Sequence, residues 1–521
     1  MSEEIVRSLK LNRNLANNLE KAIQLDRAIK IGWGAQGDAK PKEGEIGIAP
    51  HLPEGARVRL LGNLGDFTAV CCKGGAFTIE GNAMSWFGAY STAGRLVVER
   101  DAGPRCGHGM SGARLFVHGS VGDEVGGAMC GGEIVIRGHA GRRAGIGMTD
   151  GLLIIVGDCK ADAGQGMTGG RIIVDGRCLP EGEGAKQRTL TKSEHKEICA
   201  ILADHDQKIS PDAVVIEADP DHAIPSEAPA QTVWGDFGEI GLISGETPLD
   251  PSMPMDVVTV LTRGENDDGA VFPLPVLLEL SSGKGLVGVL LSNQPCLVDA
   301  DPRPIDFVRI CESNISEADT LLSAASGLVL DLDDLPPLHD GEVAALLTAL
   351  RVHLGEGEPV LIAGRVDRIG NLHRMVHDQP IDGVLIRLTT GAGMTAPATL
   401  PRIGLSARDA NVADTLHILD LPWEVSADDA LISAAAGCGM IRADPFGGDD
   451  EPSTQKARAK AVESWLQEFA AVLRGRLTDL GLDALDKLNR RHLRALEHDV
   501  AAQSGLRLAG YDRPLPQWLG Q

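Results

Sequence analysis

The sequence predicts a multidomain protein in which a right-handed parallel β-helix of nineteen-residue coils precedes an α/β domain, a (β/α)8-like barrel that is complete or incomplete. Three observations carry that expectation. Glycine recurs at Gly62, Gly81, Gly119, Gly138, Gly157 and Gly176 in one register of nineteen, with Arg100 in the single gap. Fifteen and seventeen places after each start stand apolar pairs: Phe77 and Ile79, Leu96 and Val98, Leu115 and Val117, Ile134 and Ile136, Leu153 and Ile155, Ile172 and Val174. From about Val257 the grammar changes to strands alternating with helices, the pattern of a parallel sheet covered by helices.

Residues 1–50 read as an N-terminal helical cap. Ile5, Leu9, Leu11, Leu15, Leu19 and Ile23 fall at helical spacing, and the loop Gly32-Trp-Gly-Ala-Gln-Gly37 follows. Residues 51–218 hold the repeat and a capping helix. The alternating pairs put one strand face inward, and the glycines Gly75, Gly94, Gly132, Gly151 and Gly170 precede the strands, with Ala113 as the exception. A third glycine column, Gly88, Gly107, Gly126, Gly145 and Gly164, marks corners where positive φ is cheap. Met110, Met129, Met148 and Met167 read as stacked core. Cys159 and Cys178 differ by one period and should lie side by side; a disulfide is geometrically conceivable, and two stacked thiols suit a reducing cytosol better. Thr191-Lys-Ser-Glu194 is a capping box opening a helix to about Asp204, read as a cover for the far end of the stack.

The Pro-rich acidic stretch Asp219 to Pro229 opens a linker, 219–256. In the α/β domain, 257–450, strands are expected at Gly327–Leu332, Pro359–Ala363 and Asp382–Leu388, and helices near Gly341–His353, Val366–His377, Arg408–His417, Ala427–Gly437 and Ser453–Leu473. Even spacing favours the barrel over a doubly wound sheet. Residues 451–521 form C-terminal helices.

Composition excludes several classes. The net charge of −24 opposes a nucleic-acid or anionic-membrane surface, which would need a basic patch. No apolar run reaches about 18 residues and the start is acidic, so a cytoplasmic protein is expected. The ten cysteines form no C-x-x-C pair and suggest neither zinc ribbon nor disulfide framework.

The coils beginning Gly119-Ser-Val-Gly-Asp-Glu-Val-Gly-Gly and Gly157-Asp-Cys-Lys-Ala-Asp-Ala-Gly-Gln-Gly-Met resemble the G-x-G-x-G domain that closes the large subunit of glutamate synthase. A similar domain forms one of the subunits of formylmethanofuran dehydrogenase. In both families the β-helix carries no catalytic residue. The stretch Asp382-Gly-Val-Leu-Ile-Arg-Leu-Thr-Thr-Gly-Ala-Gly-Met-Thr-Ala-Pro397 is similar to part of the glutamate synthase flavin barrel, and Ala427–Ile441 to its late helix and strand. The tail Ser464–Gly510 resembles the helices that follow that barrel. A β-helix placed before the barrel also resembles split glutamate synthases and N-methylglutamate synthase. The resemblance implies FMN as cofactor, a partner chain of glutamine amidotransferase type and a hetero-oligomer.

The departures from that family imply a degenerate flavin site. Its multi-glycine loop is reduced to Thr390-Gly-Ala-Gly-Met, and Leu421-Pro-Trp-Glu-Val-Ser426 stands where a phosphate-binding loop would present bare backbone N–H groups. Cys438 stands alone where a cysteine triplet would hold an iron–sulfur cluster, and the chain does not begin with a nucleophilic cysteine. The remaining anion-binding candidates are Gly391, Gly393 and Thr395, against the plain reading of a glycine turn. His353, His373 and His377 lie on expected helices, the last two one turn apart; a solvated face is the plainer reading than a metal site. Asp331, Asp333 and Asp334 form a carboxylate cluster after a strand, with no acid/base partner visible in sequence.

Three functions follow. The chain is a structural or docking subunit of an amino- or one-carbon-transfer complex; or an active FMN-dependent glutamate synthase or N-methylglutamate synthase subunit; or a scaffold resembling the β-helical subunit of formylmethanofuran dehydrogenase. No catalytic residue or metal site is assigned.

Overall fold

The computed structural model describes residues 2–34, 41–203, 207–222, 232–233, 240–242, 276–279, 296–390, 396–421, 425–443, 454–482 and 485–511. The chain divides into two units. The first comprises 1–227 with 313–319 and 338–353, and the second 228–312 with 320–337 and 354–521. Among the described residues the α-helices are α1 Glu3–Gln24, α2 Lys192–Ala203, α3 Ala318–Ser323, α4 Asp340–Leu350, α5 Ile369–Asp378, α6 Ala396–Thr399, α7 Ile403–Asp409, α8 Ala427–Ala436, α9 Gln455–Asp479 and α10 His498–Ser504. None of them is long and apolar enough to cross a membrane.

The first unit is organised by one parallel ladder. Strands β1 Ile29–Ile31 and β2 Lys42–Glu45 both pair with β3 Arg57–Leu64. There follow β4 Lys73–Glu80, β5 Ala93–Val98, β6 Arg114–Val117, β7 Cys130–Ile136, β8 Asp150–Ile155 and β9 Arg171–Val174, each parallel to the one before. The register is the sequence period itself: Val58, Phe77, Leu96, Leu115, Ile134, Leu153 and Ile172 stand in one row. Bridges Leu64↔Ala83↔Ala102↔Val121 and Ala140↔Cys159↔Cys178 form a second row with the same spacing. Cys159 and Cys178 are thus lateral neighbours. Burial pushes the Cys159 thiol up to about 12 and the Cys178 thiol up to about 11, so neither is a thiolate at neutral pH.

The inner face of the ladder is apolar. Met110, Met129 and Met148 are fully buried and Met167 nearly so, among Leu96, Ile134, Leu153 and Ile172. Two kinds of glycine make the stacking possible. Gly107 has φ +68°, and a Cβ there would lie 2.5 Å from Ile134 Cδ1, a side-chain end that can turn away. Gly157 is needed for a different reason, since its Cβ would lie 2.3 Å from the Gly138 carbonyl oxygen of the preceding turn. Gly157→Ala is therefore expected to destabilise by about 1–3 kcal/mol, because backbone cannot step aside. Urea unfolding of the variant measures it; an unchanged midpoint would refute it.

The far end of the ladder is closed by β10 Ala185–Thr189 and β11 Val214–Ala218, which turn antiparallel, β11 against β9 and β10 against β11. The capping box at Thr191 and Glu194 forms reciprocally, the Thr191 N–H donating to Glu194 Oε2 at 2.9 Å and the Glu194 N–H to Thr191 Oγ1 at 3.3 Å. The helix it opens does not cover the end of the stack. Ile198 and Leu202 of α2 pack with Phe116, Val135, Ile154 and Ile173, the outward residues of the ladder strands. Those residues sit sixteen places after each start, so the strands are apolar on both faces and need a cover there.

Ser2 caps α1, and Asn12 on its buried face donates to the Gly47 carbonyl (2.7 Å) and accepts from the Ala49 N–H (2.9 Å). A column of left-handed residues, Phe67, Trp86, Arg105, Glu124 and Arg143, repeats at nineteen. Within it Trp86 stacks on Phe67 with centroids 5.1 Å apart, carries the Arg105 guanidinium 4.8 Å above its ring, and donates from Nε1 to Glu342 Oε1 of α4 at 2.8 Å.

Two antiparallel pairs of the second unit stand apart from its main sheet: β12 Thr232–Val233 lies against β20 Thr389–Thr390, and β13 Ile240–Leu242 against β23 Leu493–Ala495. The main sheet is a closed parallel barrel of β14 Val276–Glu279, β15 Cys296–Val298, β16 Phe307–Ile310, β17 Gly327–Asp331, β18 Val360–Arg365, β19 Gly383–Arg387, β21 Leu416–Leu421 and β22 Met440–Ala443. The interior is filled by Leu297, Phe307, Val329, Leu361, Ala363, Leu385, Ile418 and Met440. The helix expected over Arg408–His417 is corrected: α7 ends at Asp409, Asn411 takes φ +58°, and His417 stands on β21. The run Leu416-His-Ile-Leu-Asp-Leu421, buried from His417 onward, fills the barrel wall, a tertiary demand that local helix propensity does not register.

Candidate functional site

Interior positions alternate along each barrel strand, so the residue two places beyond the apolar layer also faces inward. At the carboxyl ends of the strands these positions are charged. Arg365, Arg387, Asp420 and Arg442 are direct lateral partners across β18, β19, β21 and β22. Asp331 ends β17 beside Ala363, and Arg309 of β16 stands beside Val329. A parallel barrel gathers its functional groups at this end.

The charges are matched in pairs. Arg387 holds Asp331 with both terminal nitrogens, Nη1 at 2.6 Å from Oδ1 and Nη2 against Oδ2. Its Nη1 lies 3.7 Å from Asp333 Oδ2 and its Nε 3.9 Å from Asp420 Oδ2. Arg442 holds Asp420, with Nε 2.7 Å from Oδ1. Arg309 forks onto Asp299 at 2.8 and 2.5 Å, and Arg365 onto Asp367 at 3.1 and 3.2 Å. Burial pushes Asp420 upward, with the Arg387 and Arg309 charges opposing. Burial likewise raises Asp333, again against Arg387, and its Oδ2 is buried with no hydrogen-bond partner among the described residues. Burial works against the Arg387 charge, but its pairing with Asp331 outweighs that and raises the group.

Of the residues singled out in sequence, Asp331 and Asp333 belong to this row. Asp331 Oδ1 also accepts the backbone N–H groups of Asp333 (3.1 Å) and Asp334 (3.3 Å), so the cluster is a turn whose strong partner is a guanidinium. Asp334 is exposed. Gly391, Gly393 and Thr395 lie outside the described residues, as do Pro422, Trp423 and Glu424. Sequence reasoning missed the arginines, although Arg387 stands inside the expected strand Asp382–Leu388 and Arg365 two places past the expected strand Pro359–Ala363.

The histidines do not converge on one site. His353 lies in the turn after α4, and His377 is exposed. His373 is fully buried, its Nδ1 2.8 Å from Ser406 Oγ and its Nε2 3.0 Å from His417 Nε2, while His417 Nδ1 is 2.8 Å from the Thr415 carbonyl. A carbonyl only accepts, so His417 donates from Nδ1, accepts His373 Nε2–H, and leaves His373 Nδ1 to accept from Ser406. Both rings are neutral in that arrangement. Among the described residues no three His, Cys, Asp or Glu could hold a metal ion.

Burial, and for His373 the neighbouring His417, holds His373 down to about 4; burial lowers His417 as well. In the first unit burial and His353 hold His51 down to about 3. A histidine lowered on folding favours the folded state fully above its ordinary value of 6.5, and that contribution is lost as pH falls toward the folded value. The urea midpoint is therefore expected to fall steadily from about pH 6.5 to about pH 4, and His373→Gln to flatten the slope. A midpoint independent of pH over that window would overturn the assignment.

An FMN phosphate would need uncommitted donors, and Arg309, Arg365, Arg387 and Arg442 at the strand ends are already engaged by carboxylates. The described strand-end residues do not offer a phosphate cradle. Cys438 is buried, its thiol pushed up to about 12 by that burial.

No family model matches the chain, and no match is found among curated proteins. Among solved structures the chain is similar to a flavocytochrome b2 mutant with benzoylformate, at 14% identity over 49% of this chain and 76% of that one, TM-score 0.37. It is also similar to a mandelate oxidase mutant with the C4a-OH-FMN adduct, at 13% identity over 49% of this chain and 88% of that one, TM-score 0.36. Neither is a glutamate synthase. Likeness at that level carries neither cofactor nor reaction to this chain.

Proposed function

We propose that the chain is a structural or docking subunit of a multisubunit amino- or one-carbon-transfer complex in the cytoplasm, related to the glutamate synthases and joined to a glutamine amidotransferase-type chain. In this reading the ladder of the first unit is a right-handed parallel β-helix, and the second unit is a (β/α)8-like barrel whose flavin site is degenerate. One observation supports it above the others: Arg309, Arg365, Arg387 and Arg442 at the barrel mouth each sit against a carboxylate of the same chain. Groups so neutralised lock the strand ends together and have little charge left for a ligand. The continuous apolar core of the ladder suits a framework.

The test is an absorbance spectrum from about 300 to 600 nm of the untagged protein purified gently from its own source, followed by size-exclusion chromatography. A colourless protein eluting with a partner chain is expected. Stoichiometric flavin bands would overturn the reading in favour of an FMN-dependent glutamate synthase or N-methylglutamate synthase. Co-elution with the other chains of a one-carbon enzyme would favour the formylmethanofuran dehydrogenase type of scaffold instead.

A further inference from the structure

Away from the barrel mouth, the second unit has a cleft of about 1110 Å³ between α7, the end of α8 and the C-terminal segment 488–507. Its lining includes Arg408, Arg490, Arg491, Arg494, Arg507 and His492, and none of the strand-end charges. We propose that this cleft binds a compact oligophosphate anion of nucleotide size.

Three of the five arginines are tethered by backbone carbonyls. Arg490 donates to the carbonyls of Pro401 at 2.5 Å and Ser504 at 2.6 Å, Arg494 to those of Arg491 at 2.7 Å and Leu493 at 2.8 Å, and Arg408 to that of Gly404 at 3.2 Å. Among the described residues none of the five arginines is paired with a carboxylate, whereas those at the barrel mouth are. A guanidinium has five N–H donors, so each tethered one keeps several free and is fixed in orientation. Like charges accumulate: burial and the charges of Arg402 and Arg408 lower Arg490, and burial and Arg507 lower Arg494. An anion would relieve that repulsion. The end of α8 is the opposing element; there the Ala434 carbonyl accepts from the Gly437 N–H and the Ser433 carbonyl from that of Cys438.

Charge and shape choose the ligand. In a chain of net charge −24 a long polyanion would leave the cleft and meet repulsive surface, while a compact one stays inside. Small-molecule pockets measure about 300–1,000 Å³, so a cleft this size takes a nucleotide with room for its water. Several guanidiniums suit more than one phosphate group.

The experiment is calorimetric titration of the full chain with ATP, tripolyphosphate, adenosine and heparin at low and moderate salt. Saturable binding of ATP and tripolyphosphate is expected, weakening as salt rises, with adenosine silent. Tighter binding of ATP than of tripolyphosphate would support a nucleotide, and equal binding an inorganic oligophosphate. The double variant Arg491→Ala/Arg507→Ala, made at two exposed positions, should bind at least about tenfold more weakly with unchanged thermal unfolding. The control Lys21→Gln/Arg27→Gln removes the same charge from α1 and the turn after it, and should bind as the parent does. The proposal fails if neither phosphate compound binds, if adenosine binds as well as ATP, if only heparin binds, or if the cleft variant binds like the parent.

Discussion

Arg387→Met is expected to destabilise the second unit by about 3–5 kcal/mol at neutral pH, the cost of leaving buried charges without their partner. Arg387 touches Asp331 with two nitrogens and lies within 4 Å of Asp333 and Asp420, so its removal strands Asp331, takes the nearest cation from Asp333 and leaves Asp420 to Arg442 alone. Asp331 has 3% of its side chain exposed and Asp420 10%, too little for water to replace the guanidinium. The sign with pH is set by the same groups. Without Arg387 the folded-state carboxylates rise above their unfolded values, a penalty that is full above the raised values and disappears as protonation neutralises them. The gap between variant and parent should therefore narrow as pH is lowered toward about 4. Adding Asp331→Leu should restore part of the loss, since an apolar residue is tolerated where an unpaired carboxylate is not. Urea unfolding across that pH range decides: a small loss, or one that widens in acid, would show that the row does not act as a coupled network.

Trp86→Ala is expected to cost the first unit a similar amount, about 3–5 kcal/mol, through the cavity left by a large buried side chain. Trp86 is fully buried, stacked on Phe67, and donates to Glu342, itself 6% exposed. Trp86→Phe keeps an aromatic ring on Phe67 but loses the donor and part of the indole's volume, and should cost about 1–3 kcal/mol, chiefly for the unsatisfied buried acceptor. The difference between the two variants in urea measures the packing that the retained ring still supplies. If Phe were as damaging as Ala, the hydrogen bond to Glu342 would be the main interaction.

The nineteen-residue register was legible because a repeat is written in one dimension. Glycine at Gly119, Gly138 and Gly157 and apolar pairs such as Ile134 and Ile136 recur at a fixed interval, and the strands pair at that interval. The reason for each glycine column was not legible, because positive φ at Gly107 and a close backbone approach at Gly157 look identical as letters. The same holds for α2, whose capping box is local and was read, while the face it covers depends on the outward residues of separate turns.

At the barrel mouth the sequence marked Asp331 and Asp333 because they are close in the chain. Their partner Arg387 lies 56 residues from Asp331, and only closure of the strands brings it there. The cleft is further from the sequence still: Arg408 meets Arg490 through packing of the C-terminal segment on α7, in a chain whose total charge gives no hint of a basic site. Period, alternation and local caps are determined by the sequence itself, since they depend on neighbours within a turn or a repeat. Which charges neutralise one another, and which are left facing a cleft, was decided by the tertiary structure, because Coulomb interactions follow distance in space and are indifferent to distance along the chain.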